Sequence, residues 1–264
     1  MANLNLSSSF FRQIGNAKYE PTEATIGPWS SDLQHGGPPS ALLTNALRVF
    51  PSPEELTIVR ITIEFFSAAP VKPCEIKIEN IRPGRKVELL RGEYISEGKT
   101  ILLAHAWRIK SQTGISTPIS DGFKTPGLPN PQVQNSWQKV NYFPYWEALE
   151  WRFTEGSSID PGPATVWTRP RIPLIEKHPI NGLESLILMI DSANGISAEL
   201  DSFKWTFVPV DMTVGLYRQP DGPWVGMAAR TLMGNEGIGQ TTATIFDSKG
   251  SLGKSMHTLF IRPR

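Results

Sequence analysis

An internal repeat constrains this chain more than any other feature. Val59-Arg60-Ile61-Thr62-Ile63-Glu64-Phe65-Phe66 aligns with Val210-Asp211-Met212-Thr213-Val214-Gly215-Leu216-Tyr217 at an offset of 151 residues, with apolar or β-branched residues in the same columns. Further on, Gly98 and Gly250 each open a strand-like run, and each is followed seven residues later by a histidine, His105 and His257, at an offset of 152. The conserved order and near-constant offset predict a duplicated α+β unit. Two copies of one unit pack about a pseudo-twofold axis, and the seam between them is a natural place for a site.

The elements between these anchors follow from turn chemistry and periodicity. Tyr19 to Trp29 reads as short strands broken at Pro21 and Gly27. Leu33-Gln34-His35-Gly36-Gly37-Pro38-Pro39-Ser40-Ala41-Leu42-Leu43 reads as a tight turn into a helix that runs to Val49, with Ala41, Leu42, Ala46 and Val49 as its buried face. The glycines let ligand atoms approach the backbone, and helix-start amides suit a carbonyl oxygen or an anion. Read blandly, the same glycines only make a turn and His35 caps it. Four strands follow at hairpin spacing, Leu56 to Phe66, Cys74 to Ile81, Lys86 to Ser96 and Thr100 to Ile109, with Glu97-Gly98-Lys99 as a hairpin turn. Gln112 to Asn141 is dense in Pro, Gly, Ser, Thr and Asn and reads as a connection, with Tyr142 to Tyr145 packing on the second copy. The second half then repeats the first: strands at Trp146 to Phe153 and Ala164 to Arg169, a helix over Leu183 to Ala193, and strands at Trp205 to Tyr217, Trp224 to Leu232, Gly239 to Phe246 and Ser255 to Ile261.

Composition excludes several function classes. Lys plus Arg number 26 against 25 Asp plus Glu, with no concentrated basic run, which disfavours a nucleic-acid partner. The single cysteine, Cys74, forbids an internal disulfide. Without a signal-like leader or a bilayer-spanning apolar run, the expectation is a soluble, cytoplasmic protein that engages no membrane. The four histidines show no paired metal-ligand spacing, so neither a metal nor a cofactor is expected. No Gly-x-Ser-x-Gly elbow and no phosphate-binding glycine loop is present.

Three stretches taken together carry a resemblance: His35-Gly36-Gly37-Pro38-Pro39 before a buried helix, Arg82-Pro83-Gly84-Arg85 before the third strand, and Asp191-Ser192-Ala193-Asn194-Gly195 at the second helix end. With the closing run from Phe246-Asp247-Ser248-Lys249-Gly250 to Arg262-Pro263, nearly the whole chain resembles the thioesterase-like superfamily, in particular bacterial acyl-CoA thioesterase II. The resemblance implies an α+β double hotdog fold: two copies of a long helix wrapped by an antiparallel sheet, forming one pseudo-twofold unit. The expected division is an N-terminal hotdog over 1–118, a linker over 119–145 and a C-terminal hotdog over 146–264.

The resemblance also implies a water held by an Asp on the second helix, a Thr near the start of the following strand and a Gln on the last strand. Asp191 matches the first, the second position falls at Pro209, which has no hydroxyl, and the third falls at His257. The expected catalytic residues are therefore Asp191, accepting a proton from water, and His257, orienting that water or sharing the base role. His35, Gly36, Gly37, Asn194 and Asp211 are the expected substrate-binding residues, with oxyanion donors from the Gly36-Gly37 backbone or the Asn194 amide. Each has a bland reading: Asp191 as a helix-end hydrogen-bonding group, His257 as a satisfied core histidine, Asp211 as a solvated strand-end charge. Trp29 is a candidate floor for an acyl pocket. The expected function is hydrolysis of an acyl thioester, most simply a coenzyme A ester. A non-catalytic thioester binder and a hotdog dehydratase or hydratase are the alternatives, and the sheet edges leave room for further self-association.

Overall fold

Period-two alternation of buried and exposed residues along most of the strand-forming runs builds one antiparallel sheet that packs one face against the helices. The structure is a computed structural model that describes residues 7–137 and 143–264. The first half contributes β1 (Phe11–Gly15), β2 (Lys18–Pro21), α1 (Gly37–Val49), β3 (Thr57–Phe65), β4 (Cys74–Arg82), β5 (Val87–Ser96) and β6 (Lys99–Ile109). The second contributes α2 (Pro144–Glu147), β7 (Leu149–Glu155), β8 (Ala164–Pro170), α3 (Gly182–Ile190), α4 (Ala193–Ile196), β9 (Trp205–Leu216), β10 (Val225–Met233), β11 (Ile238–Asp247) and β12 (Gly250–Pro263). Twelve strands form one sheet in the order β1-β2-β4-β5-β6-β3-β9-β12-β11-β10-β8-β7. Glu97 and Gly98 both have positive φ, 50° and 75°, the conformation a two-residue hairpin turn between β5 and β6 needs.

The order β4-β5-β6-β3 on one side and β9-β12-β11-β10 on the other is mirrored about the β3–β9 contact. At its centre Thr62 pairs with Thr213, their hydroxyls 3.0 Å apart, and these are the residues that the 151-residue offset superposes. The histidine pairing suggested by the second match does not hold. Thr62 faces His105 on β6, whereas Thr213 faces Met256 on β12, so the counterpart of His105 is Met256. One residue along a strand reverses the face: His105 is half-buried, Met256 is exposed, and His257 points into the core with no exposed surface.

The first helix ends at Val49 as expected but is differently faced, and the second is shorter than expected. On α1 the buried residues include Ala41, Leu42, Leu43 and Leu47, while Ala46 is half-buried and Val49 is 55% exposed. The first turns lie between the sheet and α3, and the last turn emerges into solvent. Pro51 holds Phe50 extended and ends the helix (φ −57°, ψ 130°), and the Arg108 guanidinium, paired with Glu88, caps it by donating to the Leu47, Arg48 and Phe50 carbonyls. The expected helix over Leu183 to Ala193 is two pieces. The Tyr145 hydroxyl donates to the Leu188 carbonyl at 2.7 Å, so the Ser192 amide turns instead to Met189, a tighter closure that ends α3. Trp146 lies in α2 rather than opening a strand, and Tyr142 lies outside the described residues.

Candidate active site

The site is built where the two helices meet head to tail. An Asn181–Glu184 capping box starts α3, and Glu184 Oε1 also accepts from Asn45 (2.6 Å) and Arg48 (3.1 Å) near the end of α1. That tie makes the helices antiparallel and brings the start of α1 onto the end of α3. The contact needs both glycines. A Cβ on Gly37 would collide with the Leu188 carbonyl oxygen, and one on Gly36 would lie 2.8 and 2.9 Å from the two Asp191 carboxylate oxygens. Pro38 and Pro39 carry no N–H, and the Ser40 amide returns to Gly36. This helix start therefore offers few of the free amides expected of it.

Asp191, 6% exposed, stands at the C-terminal end of α3, where the helix dipole disfavours a negative charge. Burial pushes its pKa up, but His35 beside it, a smaller pull from nearby His257 and the Gly37 amide outweigh burial and hold it below the usual 3.8. His35 Nδ1 is 2.9 Å from Asp191 Oδ2. The same Nδ1 lies 3.1 Å from the Gly37 nitrogen, and the two contacts compete for one atom. A lone pair on Nδ1 facing an ionised carboxylate at 2.9 Å would be repulsive, so Nδ1 carries the proton, and the Gly37 N–H serves the carboxylate. Nε2 then keeps its lone pair and makes no hydrogen bond among the described residues. The imidazole stacks on Tyr145 (centroids 3.8 Å apart, planes within 8°), whose hydroxyl is fixed by Leu188 and Ser192. Burial, with a smaller push from Asp191, raises the Tyr145 pKa far enough to keep the phenol neutral.

His35, Gly36, Asp191, Ser192 and Asn194 line a cavity of about 350 Å³ whose other walls are mainly aromatic and aliphatic, including Trp29, Phe65, Phe143 and Phe207. The cavity opens at the seam between the mirrored halves. The β3–β9 ladder runs from Arg60–Gly215 to Glu64–Asp211 and ends there, because Val210 bulges and Pro209 has no N–H to extend it. Beyond that point the free edge of β9 exposes both faces, so core-facing Phe207 and outward-facing Val208 and Phe260 border the same space.

Two sequence profiles match the chain: that of the acyl-CoA thioesterase N-terminal domain over residues 25–109 and that of the acyl-CoA thioesterase C-terminal domain over residues 125–261. The chain belongs to the acyl-CoA thioesterase family. Its fold is the hotdog. A conserved hot dog fold protein of unknown function from Alicyclobacillus acidocaldarius is similar with a TM-score of 0.73 at 16% identity, over 96% of this chain and 95% of that one. The acyl-CoA thioesterase II TesB2 of Mycobacterium marinum is similar with a TM-score of 0.65 at 17% identity, over 96% and 95% of the two chains. No curated protein matches the sequence.

In this thioesterase-family chain the expected site residues separate into two groups. Asp191, His35, Gly36, Gly37 and Asn194 come together at the helix junction. His257 and Asp211 do not line the cavity. Asp211 Oδ1 accepts from the Thr258 amide at 3.0 Å across the Val210 bulge. His257 is fully buried between Met212 and Thr241 with both ring nitrogens unpaired, and burial lowers its pKa against the pull of Asp191 and Asp211. The Asn194 amide donates to the Phe207 carbonyl at 3.3 Å, leaving one N–H. Sequence reasoning missed Tyr145 and missed that the partner of Asp191 is His35. No local pattern marked the second: the missing Cβ atoms of Gly36 and Gly37 only permit a close approach by another segment. Among the described residues no three metal-ligating side chains come together, and no helix is long and apolar enough to cross a membrane.

The buried His257 implies a measurable acid sensitivity. Its folded pKa lies below the ordinary 6.5, so the unfolded chain binds the extra proton first and stability falls as pH drops below about 6.5. Asp191, also depressed, loses its contribution only below the usual carboxylate range near 3.8. His257→Gln is therefore expected to flatten the fall of Tm just below pH 6.5 while leaving the steeper loss near pH 4 and lower. An unchanged Tm profile would refute the buried, neutral histidine.

Proposed function

We propose that the chain hydrolyses acyl thioesters, with water activated at His35 and Asp191 acting as the group that orients and balances it. The observation that carries this reading is the 2.9 Å His35–Asp191 contact in the wall of a largely apolar cavity. His35 Nε2 takes a proton from water as the oxygen attacks the thioester carbonyl, and the imidazolium that forms is stabilised by the adjacent carboxylate. The tetrahedral oxyanion is met by the Gly36 N–H, which donates to no other group among the described residues, and by the remaining Asn194 N–H. Collapse expels the thiolate, which takes the proton back from His35. The apolar walls hold the acyl chain. We further propose that the chain is a double hotdog, 1–118 and 146–264 joined by 119–145. The mirrored strand order and the Thr62–Thr213 contact support this.

The test is thiol release from a panel of acyl-CoA esters spanning short to long chains. Turnover of at least one member is expected, and none across the panel refutes the hydrolase. The base is tested by His257→Gln: a general base is worth about 10²–10⁴ in rate, so a loss under tenfold keeps the role at His35, and a loss of 10² or more moves it to His257.

A further inference from the structure

Two arginines beside the cavity form no ion pair among the described residues, although most of the chain's arginines do. Arg12, Arg48, Arg91, Arg152 and Arg218, for example, are each within ion-pair distance of a carboxylate. Arg262, near the exposed end of β12, and Arg264, just beyond it, form none among the described residues. Each guanidinium instead lies over an aromatic ring: Arg262 over Phe260 at 5.4 Å, and Arg264 over Trp29 at 5.1 Å. Both rings line the cavity, and both are substantially exposed, Phe260 at 46% and Trp29 at 40%. The last residue's backbone is tied down, since the Arg264 amide donates to the Lys204 carbonyl at 3.0 Å.

A guanidinium held over a ring face can still offer N–H groups to an anion. Arg262, near the end of β12, and Arg264, just past it, each stand over a ring that borders the cavity. A substrate that places its acyl group among the apolar walls and its carbonyl at His35 extends its thiol arm back toward this rim. We propose that Arg262 and Arg264 bind the phosphates of the substrate's nucleotide head, with Trp29 and Phe260 as the surface beside which that head lies. This inference rests on the hydrolase reading for its activity assay, but not for its binding assay.

The experiment compares an acyl-CoA, the N-acetylcysteamine thioester of the same acyl group, and the same acyl group on a phosphopantetheinyl carrier protein. Arg262→Ala/Arg264→Ala is expected to raise KM for the CoA ester about tenfold at low salt, with kcat unchanged, and to flatten the salt dependence of kcat/KM. Kinetics with the N-acetylcysteamine ester, which has no phosphate, should not move, and this also reports that the variant is folded. Arg262→Lys/Arg264→Lys should recover part of the loss, since charge returns without the planar fork. Equal effects on the CoA and N-acetylcysteamine esters, or no effect on the CoA ester, overturn the proposal. So does an effect confined to the carrier-protein ester, which would assign the rim to a protein-borne arm. If the wild-type protein hydrolyses none of the three, the hydrolase reading fails by itself. The rim is then decided by calorimetric binding of adenosine 3′,5′-bisphosphate: a Kd weakened about tenfold in the double alanine variant supports it, and an unchanged Kd or no wild-type binding overturns it.

Discussion

Asp191→Asn is expected to lower kcat/KM for the best ester by about 10³–10⁴-fold, the scale seen when a histidine base is forced into the wrong tautomer. The neighbours of Asp191 decide which way the new amide turns. The Gly37 N–H can only donate, so the Asn oxygen faces it, and the Asn NH₂ faces His35 Nδ1. Nδ1 must then accept, the ring proton moves to Nε2, and the atom that should deprotonate water holds a hydrogen instead. The imidazolium also loses the carboxylate 2.9 Å away. Stability should not fall in step, because a buried charge is replaced by a neutral isostere. Steady-state thiol release with Tm in parallel measures both. A loss below tenfold would show that Asp191 only holds the helix end, and a large fall in Tm would assign the lost activity to folding.

Much of this arrangement is legible in the sequence, and the parts that are not share a physical cause. The repeat and its offset are readable because a strand repeat preserves side-chain alternation, but nothing in the match says that the two strands pair with each other or that Thr62 meets Thr213 at their centre. The His105–His257 match misled because it crossed a one-residue slip, and in a strand one residue exchanges core for surface. Asp191 was visible as a motif, yet its partner was not. His35 and Asp191 are brought together by packing of the α1 start on the α3 end, which no local pattern encodes. Glu184 shows the same limit: its capping box with Asn181 is local and readable, while its bonds to Asn45 and Arg48, which set the helix direction, are not. Val49 and Ala46 fit the apolar period of α1, but only Ala46 packs partly on the core while Val49 faces solvent, because a period says which residues share a face and not how far the neighbouring elements reach along it.

Gly36→Ala is expected to cut kcat/KM by about 10²-fold with Tm nearly unchanged. Gly36 has φ −66° and ψ −21°, a right-handed helical conformation that alanine adopts without strain. What the methyl meets is the carboxylate proposed to orient His35: its Cβ would lie 2.8 Å from Asp191 Oδ2, 2.9 Å from Oδ1 and 3.1 Å from Cγ. A side-chain carboxylate can give way, so the fold survives while Asp191 shifts relative to His35, and a misplacement of about 1 Å is enough for a 10²-fold loss. Gly37 provides the contrast, because its added Cβ would meet the Leu188 backbone carbonyl, which cannot move without α3. The pair separates chemistry from architecture at adjacent residues: Gly36→Ala should fail in turnover but keep its Tm, and Gly37→Ala should lose stability first, by about 1–3 kcal/mol or more as overpacked cores do. If the cavity only binds thioesters, Gly36→Ala would leave the affinity for CoA esters unchanged and there would be no turnover to lose. If His35 and Asp191 act together on water, the two oxygens displaced by one methyl should account for most of the missing rate.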